Sequence, residues 1–189
     1  GMDPQSIVLR PTDRPILYRN FIEGVSPRGI AVGYPEQCNL AWDADKMALA
    51  LIWKNGFIDA SKHWVGRGPG FQKPLGDFVV DFESTVPLAI LTSNDAVWPK
   101  TPPRERGYQF RGYKLNAAGQ PTFRYSFMGV DVEDFPTPLA LPDGTIGLLR
   151  QLTLNITEPT DGLVFRAAAG KLTKFENGYL LNEKIRLTF

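Results

Sequence analysis

Apolar and polar residues alternate with a period of two through much of the second half of the chain. Phe123, Tyr125 and Phe127 alternate with Arg124, Ser126 and Met128, the spacing of a strand with one buried face. A β-rich run from Tyr108 to Leu115 precedes them. The intervening Asn116-Ala117-Ala118-Gly119-Gln120 suits a hairpin loop. Val130 and Val132 continue the pattern past Gly129, which marks a tight turn or a bulge. Three adjacent antiparallel strands are the economical reading. Further on, Leu148, Leu152 and Leu154 alternate with Gln151, Thr153 and Asn155. A turn at Pro159-Thr160-Asp161-Gly162 leads into a strand at Leu163-Val164-Phe165-Arg166-Ala167. After an Asn177-Gly178 turn, Ile185, Leu187 and Phe189 alternate with Arg186 and Thr188, which predicts a last strand that is paired.

The first half is less regular. Asp45 is a possible cap for a helix from Lys46 to Lys54, and the Ala and Leu content suits one. Against it, Asn55-Gly56 lies between Leu51-Ile52-Trp53-Lys54 and Phe57-Ile58-Asp59, a strong short-range signal for a two-residue hairpin. The hairpin is favoured, with positive φ expected at both Asn55 and Gly56. Ser61 to Pro87, rich in glycine and proline around a short β-rich run at Phe78-Val79-Val80-Asp81-Phe82, and Asn94 to Arg106, with Pro99, Pro102, Pro103 and alternating charge, predict long loops. Together these signals predict a mainly β fold, an antiparallel two-sheet β-sandwich with long irregular loops in the first half. A single domain over residues 1–189 is expected, with Gly1-Met2 read as an expression scar or start.

Composition narrows the function. Lys and Arg total 21 and Asp and Glu 20, so the net charge of +1 gives no electrostatic case for a nucleic-acid partner. No apolar run approaches the roughly 20 residues of a membrane-spanning helix, and no signal peptide precedes the strands. One cysteine and one histidine exclude an internal disulfide, an all-Cys metal site and any site that needs two histidines. Cys38, with no flanking cation, reads as a small buried hydrophobe. No metal and no cofactor are expected.

Two sets of residues could carry chemistry. His63 follows Asp59 by four positions and is near Arg67, and an imidazole beside a carboxylate can act as acid or base near neutrality. Asp43 is the other candidate carboxylate. The second set is aromatic and basic: Trp64 and Trp98 lie in the loop-like segments with Arg104 and Arg106, while Trp42 and Trp53 are expected in the core. An exposed indole stacks on the apolar face of a sugar ring while polar neighbours take its hydroxyls. Gly66-Arg67-Gly68-Pro69-Gly70 is not a phosphate loop, since no Lys-Ser or Lys-Thr follows and Pro69 lacks a backbone donor.

Pro27-Arg28-Gly29-Ile30-Ala31-Val32-Gly33, Asn39-Leu40-Ala41-Trp42-Asp43, Leu51 to Asp59, Phe110-Arg111-Gly112-Tyr113 and Pro121-Thr122-Phe123-Arg124-Tyr125 together resemble a β-rich domain of large secreted proteins of planctomycete-type bacteria. That domain accompanies c-type cytochrome and sugar-dehydrogenase-like modules. The resemblance covers about the first two-thirds of the chain. It implies a periplasmic or extracellular setting, possible parent or partner redox modules, and an accessory role in redox or carbohydrate metabolism. It brings no catalytic residues, and without a Cys-x-x-Cys-His motif this chain binds no c-type haem itself. The leading expectation is therefore a non-catalytic binding or accessory domain with carbohydrate as the favoured ligand. The alternatives are a sugar-active enzyme of epimerase, lyase or hydrolase type using His63, and a structural docking domain. Ligand contact is expected on the loops from Ser61 to Phe71 and from Asn94 to Arg106, away from the C-terminal strands.

Overall fold

The computed structural model describes residues 8–19, 21–61, 72–83, 85–183 and 185–189. The fold is all-β. The first eight strands are β1 (Val8–Leu9), β2 (Ile16–Arg19), β3 (Gly29–Gly33), β4 (Cys38–Asp43), β5 (Ala48–Lys54), β6 (Ile58–Asp59), β7 (Asp77–Asp81) and β8 (Leu88–Ile90). A 3-10 turn (Pro103–Arg106) then leads into β9 (Tyr108–Leu115), β10 (Pro121–Phe127), β11 (Val130–Ala140) and β12 (Ile146–Ile156). The last four are β13 (Leu163–Phe165), β14 (Leu172–Phe175), β15 (Gly178–Leu181) and β16 (Ile185–Leu187). They form antiparallel sheets in the orders β2-β3-β4-β5-β7, β12-β11-β10-β9 and β14-β15-β16, with the two-stranded pairs β1-β6 and β13-β8.

The alternation seen in the sequence sets the packing. Ile30, Val32, Leu40 and Trp42 point from β3 and β4 into one cluster with Phe123, Tyr125, Phe127, Val130 and Val132 from the four-stranded sheet. Trp42 stacks on Phe123 with ring centroids 4.7 Å apart and planes 3° from parallel. The opposite face is also covered: Ala31, Ala41, Leu51 and Trp53 meet Ile22, Phe57 and Ile58 in a second cluster. Strands β3 and β4 are thus buried on both faces. Small residues on the second face let the chain come close. A Cβ on Gly33 would lie 2.6 Å from the Phe57 ring.

The expected run of strands from Tyr108 onward is present and gains β12 as a fourth member. Its tight turn is Met128-Gly129, with φ of 49° and 79° between the paired Phe127 and Val130. Two consecutive left-handed residues joining paired strands are the geometry that suits a right-twisted hairpin. At Asn55-Gly56 the expected hairpin does not form, and neither does the helix from Lys46 to Lys54. Asn55 has φ 69°, but Gly56 is not left-handed. Both neighbours of β5 are already supplied, by β4 and β7, so β6 pairs with β1 instead. Trp53 Nε1 donates to the carbonyls of Gly56 (3.0 Å) and Phe57 (3.2 Å), which holds the chain as Phe57 passes beneath Gly33. The hairpin that does involve β5 is with β4. Ala50 is the extra residue of a bulge there, because Ala41 pairs with Leu51 and Trp42 with Leu49. That bulge sends Leu49 to the first core cluster and Leu51 and Trp53 to the second, breaking the uniform alternation of the sequence.

Candidate functional site

Asp43 is fully buried at the end of β4. Its Oδ1 accepts hydrogen bonds from Ser26 Oγ (2.7 Å) and from the backbone N–H groups of Asp45 (2.9 Å) and Lys46 (3.0 Å), and its Oδ2 from Ser26 N–H (3.1 Å). A carboxylate so occupied organises the β4–β5 turn. Asp59 is in a different sheet, on β6, and its Oδ1 accepts the Ser61 N–H at 2.9 Å. His63, Trp64 and Arg67 lie outside the described residues. Arg104 is exposed on the 3-10 turn, and Arg106 Nη1 donates to Thr101 Oγ1 at 3.1 Å. Cys38 is buried, and burial first of all pushes its thiol up to about 11, Lys54 pulling against it. It is the inert small hydrophobe that the sequence suggests.

Trp98 is partly buried, and its indole N–H donates to the Val86 carbonyl at 2.8 Å. The Arg166 guanidinium lies 5.5 Å from its ring centroid. These two residues form one wall of an open cavity of about 270 Å³ whose other walls include Phe165, Leu172, Tyr179 and Phe189. The cavity exists because the chain leaves β13 through Ala167 and Ala168, whose short side chains line it, before turning back into β14. The backbone N–H of Arg166 donates to Pro87 O at 2.7 Å, and its Nη1 donates to Thr85 Oγ1 at 2.9 Å, fixing the guanidinium at the wall. Tyr179 and Phe189 meet edge to face, with centroids 6.3 Å apart and planes at 75°. Phe189 is 89% exposed, an aromatic ring presented to solvent.

Of the expected ligand contacts, the cavity takes Trp98 and leaves out Arg104 and Arg106. The partners it adds come from the C-terminal strands. Their alternation reads as an ordinary solvated face, and the aromatic residues at 165, 179 and 189 were the signal available in it.

A second cluster joins the two large sheets. Asp134, on β11, is fully buried and accepts from Trp42 Nε1 at 3.1 Å across the core. Arg150, on β12, donates through Nε to both carboxylate oxygens (3.0 and 3.1 Å) and through Nη2 to Oδ2 at 2.6 Å. Burial works against the charge on Arg150, and Asp134 outweighs it, so its pKa is raised. Tyr125 is buried close by, and burial, with Asp134 adding to it, pushes its phenol far above its ordinary value. These hydrogen bonds tie β11 to β4 through Trp42 and to β12 through Arg150.

At the edge of the five-stranded sheet, β7 exposes Phe78 and Val79 between Asp77 and Asp81. Phe78 has φ 55° at a bulge opposite β5. A bulged edge flanked by charges is poorly suited to accepting a further strand. Among the described residues, no three of His, Cys, Asp and Glu gather as a metal-binding group, and no helix is long and apolar enough to cross a membrane. No protein-family model matches the chain, and no curated protein or solved structure matches it at a significant level.

Proposed function

We propose that the five- and four-stranded sheets form a two-layer antiparallel sandwich, and that the domain is a non-catalytic carbohydrate-binding module with its site at the cavity beside Trp98. The observation that carries this reading is the convergence of Trp98, Tyr179 and Phe189 from three separate segments on one open cavity. Its volume, about 270 Å³, is just below the range of small-molecule sites, roughly 300 to 1,000 Å³. That is space for one or two rings rather than an extended chain. Aromatic faces supply stacking surface for the apolar face of a pyranose, and Arg166 supplies donors for its oxygens. The resemblance in the first two-thirds of the chain supports a secreted, accessory setting beside redox or sugar-processing modules.

A glycan-array screen of the purified domain, followed by calorimetry on the best binder, tests the proposal. The reading expects at least one saccharide to bind. Phe189→Ala and Tyr179→Ala should each weaken it several-fold, since an aromatic contact contributes about 0.5–1.5 kcal/mol. An array with no saccharide bound, or affinities unchanged in both variants, would overturn it.

A further inference from the structure

We infer that the cavity selects saccharides that carry a carboxylate, uronic-acid units in particular, and that Arg166 is the residue that reads the acid. The inference rests on the carbohydrate-binding reading above and narrows its ligand class. Among the described residues, Arg166 is held in place by neutral partners. Thr85 Oγ1 takes Nη1, and the indole of Trp98 covers one face of the guanidinium. The ion pairs seen among the described residues are Arg28–Asp45, Lys73–Glu23, Lys114–Glu133, Arg150–Asp134 and Lys171–Glu183, and none includes Arg166. A guanidinium fixed in orientation, stacked on an aromatic ring and lacking a carboxylate is matched by a ligand that brings one, because its forked donors pair with both oxygens of a carboxylate.

The wider charge distribution agrees. Residues 163–189 hold five basic side chains (Arg166, Lys171, Lys174, Lys184 and Arg186) against two acidic ones (Glu176 and Glu183), in a chain whose net charge is only +1. The segment that builds most of the cavity therefore carries a net positive charge, which favours an anionic ligand. Tyr179 and Phe189 would carry the sugar ring, and Arg166 would fix which substituent points inward.

The test compares uronic-acid oligosaccharides (galacturonate, glucuronate, mannuronate and guluronate series) with their methyl esters, by calorimetry at pH 7 and low salt. Esterification keeps the skeleton and removes the charge, so the comparison needs no variant. The expected result is that at least one acid series binds, that its ester binds about tenfold or more weakly, and that added salt weakens the acid alone. Arg166→Gln, checked for an unchanged thermal midpoint, should abolish the preference, so that acid and ester bind with equal affinity. Equal affinity for acid and ester, or a preference that survives Arg166→Gln, would overturn the inference. Binding of neutral glycans alone, lost in Tyr179→Ala, would overturn it while leaving the carbohydrate-binding reading standing. Binding of no saccharide would overturn both.

Discussion

Arg150 and Arg166 each rest against an aromatic ring, 5.7 Å from the centroid of Phe165 and 5.5 Å from that of Trp98. Both rings line the same cavity, yet the two cations have opposite fates. Arg150 reaches inward and is bound by the buried Asp134, which also takes the Trp42 indole from the facing sheet. Arg166 stays at the rim, pinned by a hydroxyl and an indole and open to solvent chemistry. Arg150 lies against the buried Asp134, whereas Arg166 is surrounded by alanines and partly exposed aromatic rings. The same side-chain chemistry thus locks one region and leaves a positioned cation at the rim of the other.

The largest expected effect is on the locked side. Asp134→Ala leaves the partly buried Arg150 without its partner, and denaturant unfolding should show a loss of about 3 kcal/mol. Replacing the pair together, as Asp134→Leu with Arg150→Met, should recover most of that loss, because the stranded charge rather than the missing attraction dominates the cost. Arg166→Ala, by contrast, should cost less than about 1 kcal/mol.

Alkali gives the next effect. The Cys38 thiol is raised to about 11 in the folded chain, from 9.0 without burial. The unfolded chain therefore releases its proton first as pH rises. Stability from this group is complete below about pH 9 and is lost as pH climbs through about 11, by about 2–3 kcal/mol in all. Unfolding free energies of the wild type and Cys38→Ala between pH 8 and 11 should converge by that amount. A parallel pair of curves would place the thiol in a wetter site.

A smaller effect belongs to the backbone. Gly129 is left-handed at a tight turn, so Gly129→Val should cost more than about 1 kcal/mol by thermal or denaturant unfolding. Smallest in stability is Phe189→Ala. At 89% exposure its removal should shift the unfolding free energy by less than about 0.5 kcal/mol while lowering saccharide affinity several-fold.

What the sequence made legible follows from how local each signal is. The strands from Tyr108 to Ile156 rest on period-two alternation joined by short turns, and they are where the pattern put them. Asn55-Gly56 carried an equally strong local signal and misled, because the neighbour of β5 is decided by β7, more than 20 residues later in the chain. The bulge at Ala50 was hidden for a similar reason: a one-residue slip is decided by the partner strand. Trp42 and Trp53 were readable as core from their apolar surroundings. The cavity was not, since Trp98 meets Tyr179 and Phe189 only through the path of the folded chain. The Asp134–Arg150 pair did leave a trace. Asp134 keeps the phase of Val130 and Val132, and Arg150 keeps the phase of Leu148 and Leu152, so two opposite charges recur on faces otherwise apolar.

The central claim, that ligand binds at the rim beside Trp98 and not on the packed sheets, is most directly tested by an NMR titration of the isotope-labelled domain with the best saccharide from the array. The Trp98 indole N–H and the ring signals of Tyr179 and Phe189 should move with added ligand, while the indole signals of the buried Trp42 and Trp53 stay fixed. Shifts confined to the outer face of β9 to β12, with Trp98 unmoved at saturation, would contradict the account.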